Sequence, residues 1–178
     1  MRAAVAKALG AVQRDTPVYL DARLHLAALS MVAGSIHAVV APPHFGEYWL
    51  FGAFFVALAA FQLGWGAWIY ERPSPRAYRL GLFVSVGVIG LWLVSRTIGL
   101  PIGPDSGRPE GIGPLDPAAS AVQAMIALLC TAFLRAGGEA PRAQELAMPV
   151  RIARWLSLLL MSGALLLLVL GGGHHYQD

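Results

Sequence analysis

Apolar residues in this chain come in long runs separated by short polar breaks. Five runs approach the ~20 residues that an α-helix needs to cross a bilayer's hydrocarbon core. They predict five helices, at about Leu24–Ala41, Tyr48–Tyr70, Leu80–Leu100, Ala118–Leu134 and Ile152–Leu170. The breaks carry the expected punctuation. Pro42-Pro43 should end the first helix, because proline has no N–H for the ladder and restricts the residue before it. Glu71-Arg72-Pro73-Ser74-Pro75-Arg76 reads as a polar turn. Residues 101–117, rich in Gly and Pro with Asp105, Glu110 and Asp116, read as an irregular loop outside the hydrocarbon. Tyr48, Trp49, Trp68 and Tyr70 sit at the two ends of the second run, where aromatic belts form. Gly81, Ser85, Gly87 and Gly90 give the third run a small-residue surface, which predicts that it lies at the centre of the bundle.

The fold class that follows is all-α: a polytopic transmembrane helical bundle of about five spans. Residues 1–23 form a cytoplasmic amphipathic segment, 24–171 the transmembrane bundle with its outer loop at 101–117, and 172–178 an extracytoplasmic tail. In the first segment Val5, Leu9 and Val12 recur at helical spacing with Arg2, Lys7 and Arg14 on other faces, as in a helix resting on a leaflet. The orientation comes from charge. With the N-terminus inside, eleven of the thirteen Lys and Arg fall on the cytoplasmic side, and only Arg96 and Arg108 fall outside. The expected location is therefore the cytoplasmic (inner) membrane of a bacterium, with the C-terminus outside.

Composition agrees: 57% of the 178 residues are hydrophobic and 13% charged, against about 25% charged in soluble domains. A sequence pI near 9.4 is compatible with nucleic-acid binding, but the basic residues flank apolar runs as juxtamembrane anchors do, so no nucleic-acid partner is expected. The partners expected are the lipid bilayer and, through the small-residue helix faces, other membrane-protein subunits. Cys130 is the only cysteine, which excludes an internal disulfide and a cysteine-based zinc site.

Candidate chemistry gathers on one side. His37, His44, His174 and His175 are all placed at the outer face, and His25 alone at the inner one. His37 lies among Ala33, Gly34, Ser35 and Ala38, small residues that would admit a neighbouring helix or a flat macrocycle, and an ionisable residue inside a span is a functional candidate. His44 and Glu47, three apart, are expected in the first turn of the second helix with Pro43 near its first position. His37, His44 and Glu47 make a metal-ligand set suited to Zn or Cu, with Asp105, Glu110 and Asp116 as a lid or as groups that orient the ligands. Haem or chlorin ligation by His37 is the alternative cofactor reading. Simple hydrogen bonding by each histidine is the plain one, and His174-His175 reads more readily as a flexible tail than as ligands. Arg96, near the outer end of an apolar run, needs an acidic partner among Glu47, Asp105, Glu110 and Asp116, and is expected to act as a structural clamp. Gln62 and Gln123 read as interhelical hydrogen bonders. No nucleophile paired with a base is legible, so no enzymatic activity follows.

The segment Ser95-Arg96-Thr97-Ile98-Gly99-Leu100-Pro101-Ile102-Gly103-Pro104-Asp105, followed by Glu110, Gly113 and Asp116, resembles a pattern in uncharacterised multi-pass membrane proteins of high-GC bacteria, as does His44-Phe45-x-Glu47. The resemblance covers roughly residues 30 to 130. It implies the same topology and a role for the outer loops, and brings no activity with it. Three functions stay open: a membrane protein binding a transition metal at its outer face, an accessory or assembly subunit of a larger membrane complex, and a small transporter. The last has few polar residues to line a path.

Overall fold

The computed structural model describes residues 17–137. Within that range the chain is all-helical, with four helices long and apolar enough to cross a membrane: α1 (Pro17–Glu47), α2 (Trp49–Glu71), α3 (Pro75–Thr97) and α4 (Asp116–Arg135). The expected fifth span at 152–170, the segment before residue 17, and His174 and His175 lie outside the described residues. Apolar side chains such as Phe83, Val86, Val56, Leu93 and Trp49 cover the outward faces, as in a multi-pass protein surrounded by lipid.

The first departure from expectation is at Pro42-Pro43. Helix α1 runs through both prolines to Glu47 and takes in residues 17–23 at its other end. Its 31 residues reach about 46 Å at 1.5 Å per residue, so its last turns extend past a ~30 Å hydrocarbon core. The prolines remove only the donors to the Ala38 and Val39 carbonyls, while their fixed φ suits a helix. The turn to α2 is then a single extended residue, Tyr48, at φ −159° and ψ 126°.

The helices form two hairpins. In the first, small residues let α1 and α2 approach closely. A Cβ at Gly66 would meet the Ala27 carbonyl at 3.1 Å, one at Gly34 would meet the Leu63 side chain at 3.0 Å, and Ser30 Oγ donates to the Gln62 carbonyl at 2.6 Å. The second hairpin joins α3 and α4 through the long 98–115 loop. Helix α1 also packs on α4, whereas α2 and α3 touch little. Their contact is at the end near their connecting turn, where Trp65 Nε1 donates to the Ala77 carbonyl at 3.0 Å and the indole lies on Gly81. Ser74 caps α3 by accepting from Ala77 N, with Pro75 in the first turn.

The core sits toward that same end. Leu26, Leu29, Ile69, Tyr78, Ile126, Cys130 and Phe133 are buried there, and the Tyr78 and Phe133 rings stack at 4.8 Å and 5°. Among the described residues, half of α1's apolar window is buried against 22% of α3's, so α1, and not the expected third run, is the more enclosed of the two. Of α3's small residues, Gly81 and Ser85 are buried, while Cβ atoms at Gly87 and Gly90 would meet nothing among the described residues. Gln62 does bridge helices, but both amide atoms of the fully buried Gln123 have no partner among the described residues.

Candidate functional site

Because the hairpins meet at one end and share few contacts beyond it, they part toward the 98–115 loop and enclose a cavity of about 520 Å³. Its walls are mainly aliphatic and aromatic, with Ile36 and Val40 from α1, Phe51, Phe54 and Phe55 from α2, and Val88, Ile89 and Trp92 from α3. The polar groups are His37, His44, Ser95, Arg96, Glu110, Asp116 and Ser120.

His37 and His44 stand on one face of α1, seven positions apart, which is about 10 Å along the axis. His37 is buried, and its Nδ1 donates to Gln62 Oε1 at 2.8 Å. His44 Nδ1 donates to the Val40 carbonyl one turn back, at 2.6 Å. A carbonyl oxygen only accepts, so each neutral ring carries its proton on Nδ1 and keeps its lone pair on Nε2. Phe55 contacts both imidazoles, with ring centroids 5.7 Å from His37 and 4.3 Å from His44.

Helix α1's continuation past the prolines moves His44 and Glu47 from the expected first turn of the second helix to the last turn of the first. Phe45 now folds over Gly52, where any Cβ would collide with its ring. Glu47 is exposed and is not among the residues lining the cavity. The structure thus brings His37 and His44 to one cavity and leaves Glu47 outside it. Among the described residues, no group of three His, Cys, Asp or Glu side chains is placed to hold a metal ion.

Arg96, with its side chain 14% exposed, closes the loop onto the bundle. Its Nη2 and Nε donate to Asp116 Oδ2 at 2.6 and 3.2 Å, and its Nη1 donates to Glu110 Oε2 and to Ser95 Oγ. Asp116 Oδ2 also accepts from Gly113 N at 2.7 Å, and Glu110 N donates to the Ser95 carbonyl at 2.9 Å. Of the acidic residues in the expected lid, Glu110 and Asp116 line the cavity while Asp105 pairs with Arg108 at 3.5 Å on the exposed surface. The loop is folded back on itself: Gly107 N donates to the Leu100 carbonyl at 2.8 Å. Gly99, at φ +77°, packs so closely on the Arg108 backbone that only glycine fits.

Sequence reasoning missed Phe55, Trp92 and Ser120 as cavity residues. Trp92 stands one turn before Arg96 on the same helix face, which is the signal that could have found it. Its Nε1 is buried and has no hydrogen-bond partner among the described residues.

Comparison of the chain with protein-family models, with curated proteins and with solved structures finds no match in any of the three.

Proposed function

We propose that this chain is a bacterial cytoplasmic-membrane protein that holds a lipophilic small molecule between its two helical hairpins. The observation that carries the reading is the cavity of about 520 Å³, apolar along its walls and with its polar groups collected at the loop end. That is the usual composition of a small-molecule site: hydrophobic and aromatic lining with a few placed polar atoms. Residues 152–170 would supply a fifth span. The eleven-to-two distribution of Lys and Arg supports a cytoplasmic N-terminus and, with it, a position of the cavity's polar end near the outer face.

A transition metal, such as Zn or Cu or the iron of a haem or chlorin, is a second reading. It is favoured by one observation: both imidazoles commit Nδ1 to an acceptor and leave Nε2 unprotonated, as metal-ligating histidines do. A free divalent ion would want three or four donors, and His37 and His44 supply two. The lipophilic ligand therefore takes precedence, and a macrocycle would satisfy both readings.

The test is to extract protein purified in mild detergent with organic solvent and analyse the extract by mass spectrometry, beside a variant whose cavity is filled, Ser120→Phe. The expected result is a lipophilic molecule near one equivalent in the wild-type protein and strongly depleted in the variant. Identical extracts from the two proteins would overturn the reading. A Soret band or stoichiometric metal in the wild-type protein would select the second one.

A further inference from the structure

Resting on the reading of the cleft as a site for a lipophilic small molecule, we propose that its ligand is a quinol and the corresponding quinone: a flat ring with oxygens at its edge and an apolar tail.

The polar atoms select the head group. Among the described residues, Arg96 is the one cation lining the cavity, and it is already engaged by Glu110 and Asp116. One cation against two carboxylates leaves this end negative, which disfavours phosphate and carboxylate heads. What remains for a ligand is neutral hydrogen bonding. His37 and His44 offer Nε2 as acceptors, because their protons are held on Nδ1 by Gln62 and by the Val40 carbonyl. Trp92, on the cavity wall, carries an indole N–H that is buried and without a partner among the described residues, a donor whose desolvation a ligand hydrogen bond would offset. A ligand that both donates and accepts through ring oxygens uses all three.

The walls select the shape. Phe51, Phe54, Phe55 and Trp92 present aromatic surfaces, and such surfaces favour offset or edge contacts with a flat ring. The tail has a way out. Helices α2 and α3 touch little, mainly near Trp65 and Ala77, so the cavity between Leu50 and Phe54 on one side and Leu91 on the other opens sideways among lipid-facing residues. A chain attached to the ring can lie in that gap and continue into the bilayer.

The pinned protons give the proposal a direction. A quinol hydroxyl can donate to imidazole Nε2, whereas a quinone carbonyl meets a lone pair there. Either oxidation state can accept from Trp92. The reduced form should therefore bind more tightly, by the roughly tenfold that one hydrogen bond supplies.

The experiment titrates the full-length protein in nanodiscs with a decyl-tailed benzoquinone, with its hydroquinone under anaerobic conditions, and with decyl phosphate and zinc as separate probes. Binding is read by equilibrium partition and by tryptophan quenching. The expected result is saturable binding of the hydroquinone at one equivalent, about tenfold tighter than the quinone, with decyl phosphate weak. His44→Phe should reduce the preference for the hydroquinone, His37→Leu combined with it should abolish the preference, and Trp92→Phe should weaken both forms alike while keeping it. If His44→Phe does not fold, the wild-type preference and Trp92→Phe decide. Quinone binding as tightly as hydroquinone, decyl phosphate binding as tightly as either, or a preference undiminished in folded His44→Phe and His37→Leu proteins would overturn the proposal. If neither ring form binds while Ser120→Phe still depletes a different extracted molecule, this inference falls and the lipophilic-site reading stands.

Discussion

Arg96 shows how a single side chain can tie a loop to a helical bundle. It lies in the last turn of α3, and its guanidinium reaches forward to Glu110 and Asp116, fourteen and twenty positions on. The planar fork matters because two carboxylates approach from different directions, one through Nη1 and the other through Nη2 and Nε. Arg96→Ala leaves both acids without their cation beside an apolar cavity. It should destabilise the purified protein by about 2 kcal/mol, below the range for a fully buried pair because Glu110 remains partly exposed. Arg96→Lys should recover only part of this, since one ammonium cannot serve both acids in the same geometry. Thermal unfolding in detergent checks it, and an unchanged melting temperature for Arg96→Ala would remove the clamp. The sequence makes the need for an acidic partner plain. It does not choose among Glu47, Asp105, Glu110 and Asp116, because that choice depends on the path of the 98–115 loop.

Among the elements, α1 departs most from what its residues predict. Two consecutive prolines ordinarily mark a helix end, yet here the helix continues to Glu47. The continuation shapes the candidate site, because it sets His44 two turns above His37 on the face that meets Phe55. Had the helix stopped at Ala41, the two imidazoles would share no common face. Pro43→Ala discriminates between the arrangements. In a continuous helix it restores a donor for the Val39 carbonyl and should raise stability by about 1 kcal/mol, less than the ~3 kcal/mol scale for a helix interior because the site is near the end. In a turn it would loosen the chain and lower the melting temperature. Helix α3 is the opposite case. Its glycines suggested a crowded central helix, but among the described residues Gly87 and Gly90 meet no neighbour while Gly81 lies against the Trp65 indole, and Gly34 and Gly66 bring α1 and α2 together. Small residues permit close approach without specifying which helix supplies the partner surface.

At the scale of the whole molecule, the feature to explain is why a bundle of apolar helices holds a cavity rather than packing to the end. The two hairpins are joined near Trp65, Tyr78 and Phe133, where large rings fill the space between helices. Toward the other end, α2 and α3 lose contact, and the latched loop spans the gap instead of filling it. The topology proposed for this arrangement has a direct check. Reporter fusions after Arg76 should give a cytoplasmic signal, and fusions after Gly107 an extracytoplasmic one, because short loops orient by their Lys and Arg content. A cytoplasmic signal at Gly107 would invert the protein and place the Arg96 latch on the inner side.

What the sequence determined by itself is the helical, membrane-crossing character of the chain. Run length and the near absence of charge leave a buried backbone no other way to satisfy its hydrogen bonds in lipid. It also marked His37, His44 and Arg96 as polar residues out of place in apolar runs. What only the tertiary structure decided is which of these meet: that Pro42-Pro43 lies within a helix, that Gln62 holds the His37 proton, that Glu47 stays outside, and that Trp92 and Phe55 wall the same space. Those outcomes depend on contacts between helices, where packing energies of similar size compete, and hydropathy along one chain carries no record of which surface a helix will meet.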